Sequence, residues 1–156
     1  MKVFGLLLLA FLAFSVASAQ PFVVIVRHAE KLDNSKDPDL SAAGQARAER
    51  LVQLLKDAKI TAIFTTELKR TQETAAPLAK SIGITPTIVS AKDYAGLVSK
   101  LHQVEGAALV VGHGNTIPDI VKALGIDQGL QIADEDYTDL LVVSLQDKPQ
   151  MVRLHY

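Results

Sequence analysis

The chain has 156 residues, 49% of them apolar, with 16 Lys and Arg against 17 Asp and Glu and no cysteine. That length holds one domain of ordinary size, and the near-neutral charge excludes a broad basic surface that would neutralise nucleic-acid phosphates. Without cysteine there are no disulfides, thiolate nucleophiles, zinc–thiolate sites or iron–sulfur clusters.

Residues 1–19 open with Lys2, run apolar from Val3 to Phe14 with only Gly5 intervening, and end on Ala17-Ser18-Ala19. The run is short of the ~20 residues a spanning helix needs, and the Ala-x-Ala ending suits signal peptidase. The segment predicts a cleaved export signal, a periplasmic or secreted location and no stable membrane span. A retained anchor or a buried helix is the alternative. Loss of Lys2 with the leader moves the formal net charge from −1 to −2. Residues 20–156 carry no repeat, low-complexity tract or linker and read as a single domain.

In chain order, short β-branched runs alternate with amphipathic stretches. The runs are Phe22 to Val26, Ile60 to Thr65, Thr85 to Val89, Ala107 to Gly112, Leu140 to Leu145 and Gln150 to Leu154. Ser41 is placed to cap a first helix reaching Ala58, and Thr66 a second running to Ile82, with Gly83 as its stop and Pro77 as a kink or restart. Ser90 with Asp93 resembles a capping box for a third helix, to about Gln103. Thr116, Pro118, Asp119 and Gly125 frame a fourth. The pattern predicts an α/β fold: three layers, α/β/α, around a mainly parallel sheet. Its last two strands lie too close together for a crossover and form an antiparallel hairpin.

Three constellations fall just past the C-terminal ends of predicted parallel strands, the edge where open α/β sheets bind ligands. Arg27-His28 follows the first strand. His113, between Gly112 and Gly114, follows the fourth and precedes a helix start. Arg70 lies one turn into the helix after the second strand. Singly, each has a plain reading as a solvated loop or helix charge. Jointly, two guanidiniums, two imidazoles and the Gly114-Asn115 backbone before a helix suit a phosphate group.

These residues carry a family resemblance. Arg27-His28-Ala29-Glu30 resembles the Arg-His-Gly signature of the histidine phosphatase superfamily, which includes the cofactor-dependent phosphoglycerate mutases. Leu40-Ser41-Ala42-Ala43-Gly44-Gln45-Ala46 is similar to its Leu-Thr-x-x-Gly-x-x-Gln-Ala stretch with the Gln displaced. The segment from Thr65 to Ala75 resembles Ser-x-x-x-Arg-Ala-x-x-Thr-Ala, and Val111 to Thr116 the second-histidine motif. The resemblance runs in order from Phe22 to Gly125. It implies a phosphoglycerate mutase-like fold and a phosphatase in which His28 accepts the phosphoryl group. Arg27, Arg70 and His113 would bind its oxygens beside Gly114 and Asn115, with no metal or cofactor and a phosphorylated small molecule or macromolecule as substrate. The chemistry agrees, because a neutral imidazole is a competent nucleophile and phosphoryl transfer asks the protein for positioning and positive charge.

Departures from the family pattern concern the general acid. The stretch Ile88 to Gly96 lacks the family's Gly-x-x-Glu neighbourhood, and Gly114-Asn115 stands where the phytase-like branch has His-Asp. Glu30, Asp93 and Glu105 are the candidates. A weak acid favours good leaving groups and the short, cap-less members resembling phosphohistidine phosphatases, and mutase activity lacks the long insertion it would need. The competing reading is a non-catalytic phosphate- or anion-binding module. A metal on His28, Glu30 and His113 would be repelled by Arg27 and Arg70. His102 and His155 are expected to be structural or exposed. The stretch from Lys31 to Asp39 is expected as a mobile polar loop forming one wall of the site. The run from Asp134 to Asp139 reads as a solvated loop, or else as a border of the pocket that disfavours highly anionic substrates.

Overall fold

The computed structural model describes residues 20–156. The export signal expected at residues 1–19 lies outside them. Among the described residues the chain runs β1 (Phe22–Arg27), α1 (Ala42–Leu55), β2 (Ile60–Thr65), α2 (Lys69–Ile82), β3 (Thr87–Ile88), α3 (Tyr94–Leu101), β4 (Ala107–Gly112), α4 (Ile117–Ala123), β5 (Asp139–Ser144) and β6 (Met151–His155). The six strands form one sheet in the order β3-β2-β4-β1-β5-β6. β1 pairs in parallel with β4, and β2 with both β3 and β4, while β5 runs antiparallel to β1 and to β6. The parallel sheet and closing hairpin are therefore as the sequence predicts.

Alternation along β1 divides the core. Val24 and Val26 pack with Leu51 and Leu55 of α1 and Leu78 of α2, whereas Val23 and Ile25 face Leu97 and Leu101 of α3 and Ile117 and Ile120 of α4. Burial of both faces explains why β1 and β4 read as unbroken apolar runs. Their parallel pairing sends the C-terminal ends, Arg27 and Gly112, to the same edge, where they are in register. No helix among the described residues is long and apolar enough to cross a membrane.

Several boundaries differ from the sequence reading. β3 shrinks to Thr87–Ile88, since Pro86 has no N–H to offer and holds its segment to the sheet edge. α2 begins at Lys69 with Leu68 at the cap position and no side-chain cap, because the Thr66 hydroxyl is engaged elsewhere. α2 also continues unbroken through Pro77. Burial of Thr74, Ala75, Leu78 and Ala79 on its inner face outweighs the backbone bond that Pro77 removes. α3 is shorter than expected, and its cap is Asp93 rather than Ser90. The stretch after β1 is not loose at its base: Lys31 and Leu40 form an antiparallel bridge, and Leu32 N–H donates to the Asp39 carbonyl at 2.9 Å.

Candidate active site

At the end of β1 the chain turns, and His28 N–H donates to the Gly112 carbonyl at 2.9 Å, continuing the pairing with β4. The next amide, on Ala29, donates to Thr74 Oγ1 at 2.9 Å, and that hydroxyl donates to the Arg70 carbonyl at 2.7 Å. Thr74 thus joins the His28 turn to the helix that carries Arg70. Gly44 permits a second close approach, since a Cβ there would overlap the Glu30 carbonyl oxygen. α1 can then pack directly on the backbone two residues past His28.

The structure brings Arg27, His28, Arg70 and His113 together around a pocket of about 230 Å³, completed by Lys31, Gly114, Asn115 and Asp134. The two imidazoles meet edge to face with centroids 5.3 Å apart. Both are buried, at 4% exposure for His28 and 6% for His113. His28 Nδ1 lies 2.9 Å from the Ala29 carbonyl. A carbonyl only accepts, so Nδ1 holds the proton and Nε2 keeps the lone pair. Burial lowers the His28 pKa to about 3. The hydrogen bond to Ala29 opposes this, while His113, Arg70 and Arg27 add to it. His113 is lowered to about 4, again by burial first and then by Arg70, with Glu67 opposing. Both rings are therefore neutral at neutral pH.

His113 is held on both sides. Its Nδ1 is 3.5 Å from Arg70 Nη2 and its Nε2 is 3.1 Å from Thr66 Oγ1, which lies 3.0 Å from Thr71 Oγ1. Thr71 Oγ1 donates to the Leu68 carbonyl at 2.8 Å. Sequence reasoning missed these threonines, although Thr66 and Thr71 stand in the segment that carries Arg70. The helix after His113 offers less than expected. Thr116 makes no side-chain cap bond, and the Thr116 and Ile117 amides both donate back to the His113 carbonyl. The turn leaves the Gly114-Asn115 backbone at the pocket instead.

The arginines are asymmetric. Arg27 Nη1 donates to the carbonyls of Ala133, Asp134 and Asp136 at 3.0, 2.6 and 3.1 Å, and its guanidinium lies 4.3 Å from the centre of the Tyr137 ring. Arg70 Nη1 is 3.9 Å from Asp37. In both arginines the Nε atom is buried without a hydrogen-bond partner among the described residues. An orphaned donor of this kind costs about 1–3 kcal/mol.

The three expected acids are placed otherwise. Glu30 is held by Arg47, whose Nε reaches both carboxylate oxygens at 2.9 and 3.0 Å and whose Nη2 reaches Oε1 at 2.7 Å. Burial alone would raise the Glu30 pKa, but hydrogen bonds and charge from Arg47 hold it below the usual carboxylate value. Asp93 accepts the Gly96 amide at 2.9 Å as the cap of α3. Glu105 precedes β4 and so stands at the strand's opposite end from His113.

As for metals, Asp136, Asp139 and His155 place ligand atoms within 4.8 Å of one another. Arg153 already holds both oxygens of Asp139, at 2.6 and 2.7 Å, which leaves the cluster poorly suited to a cation. His155 is exposed on β6, and His102 is exposed at the end of α3.

A model of the histidine phosphatase superfamily (branch 1) matches residues 23–92. The PE-PGRS family protein PE_PGRS11 of Mycobacterium tuberculosis is 36% identical over 76 residues, 47% of this chain and only 13% of that protein's length. Among solved structures, the protein histidine phosphatase SixA complexed with tungstate superposes with a TM-score of 0.68 at 15% identity, covering 86% of this chain and 96% of that one. A mycobacterial glucosyl-3-phosphoglycerate phosphatase gives 0.67 at 14% identity, covering 88% and 98%. At such identities the likeness is one of fold. Over residues 23–92, from β1 past β3, the chain is thus similar to the histidine phosphatase superfamily, and it shares the fold of these solved phosphatases.

Proposed function

We propose that this chain is an exported, metal-independent phosphatase that transfers a phosphoryl group to His28 Nε2 and then to water. The observation that carries this reading is the convergence of Arg27, Arg70 and His113 on one pocket around a neutral His28. Two fixed guanidiniums supply the positive charge that a phosphoryl group needs as it moves. In the first step the His28 Nε2 lone pair forms the bond to phosphorus, and the P–O bond to the leaving group breaks. The leaving oxygen keeps that electron pair and takes a proton from solvent. In the second step water attacks phosphorus, the P–N bond breaks with its electrons returning to Nε2, and the attacking water loses a proton to solvent. With Glu30, Asp93 and Glu105 all engaged or remote, substrates with good leaving groups are favoured, including phosphoramidates. This fits the short phosphohistidine phosphatase-like branch. Export rests on the cationic, apolar leader and its Ala17-Ser18-Ala19 ending.

The test is phosphate release by residues 20–156 from p-nitrophenyl phosphate and from a phosphohistidine donor, with and without chelator. Acid-labile labelling of His28 and loss of turnover in His28→Ala are expected. Vanadate binding without turnover or labelling would instead establish an anion-binding module.

A further inference from the structure

The acidic run at Asp134 to Asp139 does not stand apart from the site. Three of the neighbouring carbonyls, from Ala133, Asp134 and Asp136, converge on Arg27 Nη1, and Tyr137 stacks on the same guanidinium. The loop is therefore fastened to a residue of the phosphate pocket. Asp134 borders that pocket. With Glu135 and Asp33 it also lines a second cleft of about 650 Å³, which shares Arg27, Lys31 and Asp134 with the first. The shared lining makes this cleft a neighbouring space open to the substituent of a phosphoryl group beside His28.

The charge in the cleft is lopsided. Glu30 is neutralised by Arg47, and Arg27, 8% exposed and shared between the two spaces, is the cation that the phosphatase reading assigns to the phosphoryl group. What remains for a substituent is three carboxylates, on Asp33, Asp134 and Glu135, against the single ammonium of Lys31. An anionic substituent would meet like charges there, whereas a cationic one would be attracted.

We propose, on the reading that this pocket binds the phosphoryl group, that the adjoining cleft selects a leaving group bearing positive charge. Among esters of comparable leaving-group ability, the favoured substrate class is then the phosphomonoester of an amino alcohol or of a quaternary ammonium alcohol. These carboxylates are exposed and screened by salt, so each contributes a few-fold and the set about tenfold in kcat/KM.

The experiment compares phosphoethanolamine and phosphocholine with glycerol phosphate (neutral alcohol) and 3-phosphoglycerate (anionic alcohol), at low and high salt. p-Nitrophenyl phosphate serves as the reference for basal chemistry. The wild type is expected to prefer the cationic esters about tenfold over the neutral one and to disfavour the anionic one. The double variant Asp33→Asn/Glu135→Gln, both exposed positions, is expected to lose most of that preference while its p-nitrophenyl phosphate turnover stays unchanged. High salt should shrink the preference in the wild type only. Equal kcat/KM for cationic and anionic esters overturns the proposal but leaves the phosphatase reading intact, as does a preference that survives the double variant. Absence of any turnover, p-nitrophenyl phosphate included, overturns both.

Discussion

Arg70 Nη2 approaches His113 Nδ1 to 3.5 Å, and this contact decides which nitrogen of the ring carries the proton. A guanidinium only donates, so Nδ1 presents its lone pair and the hydrogen sits on Nε2. From there the direction of donation runs from His113 Nε2 to Thr66, then to Thr71, and ends on the Leu68 carbonyl. One guanidinium thus lines the pocket and orients the second histidine.

Arg70→Lys keeps the charge but loses the planar fork. We expect kcat/KM to fall by about two orders of magnitude, the scale seen when a preorganised donor at developing charge is lost. Retention of near-wild-type kcat/KM on p-nitrophenyl phosphate would show that charge alone suffices there.

Thr66→Val removes the acceptor for His113 Nε2–H and leaves that donor buried. The expected loss is about tenfold in kcat with little change in KM, from an unsatisfied group costing about 1–3 kcal/mol. Thr66→Ser should restore it. A Val variant with normal kcat, measured under saturating substrate, would mean that the hydroxyl chain is only a packing feature.

Glu30→Gln should leave turnover of alkyl phosphates within about threefold of the wild type, because Glu30 is paired with Arg47 rather than aimed at a leaving group. Stability should drop by about 1–3 kcal/mol, as expected for weakening a part-buried charged hydrogen bond. Comparing pH–rate profiles with thermal melts separates the two effects, and a selective collapse on poor leaving groups would restore Glu30 as the acid.

Acid should destabilise the fold through the histidines. Unfolded His28 and His113 bind protons below about pH 6.5, whereas the folded values are about 3 and about 4. Between those limits the unfolded state holds more protons, so stability falls as the pH drops from 6.5 toward 4. Melting temperature followed across that range should show a shallower fall in His28→Gln. For the same reason the acid limb of kcat/KM on p-nitrophenyl phosphate should not show the free enzyme titrating near pH 6.5.

Gly44→Ala should destabilise strongly or prevent folding, since the added methyl meets the Glu30 backbone, which cannot swing aside as a side chain can. Denaturant midpoints of this variant and of Gly83→Ala make the comparison. Gly83 has open space around its Cβ position but a φ of 71°, so its cost should be smaller, about 1 kcal/mol.

The sequence by itself determined the local and repetitive features of this protein. Doubly buried strands must be apolar throughout, so β1 and β4 announce themselves, and strands followed by helices place their C-terminal ends at one edge. Arg27, His28, Arg70 and His113 could be gathered from that rule alone. What the tertiary structure decided are partnerships that no spacing encodes. Glu30 looks available beside His28 until Arg47, on α1, is folded against it. Thr66 reads as a helix cap until His113, 47 residues away, reaches its hydroxyl. The run from Asp134 to Asp139 reads as a solvated loop until the carbonyl groups of Asp134 and Asp136, with that of Ala133 beside them, close on Arg27, more than 100 residues earlier. Charge and hydroxyl groups have the same local signature whether solvated or paired, and only the packing of distant segments removes the water that would otherwise satisfy them.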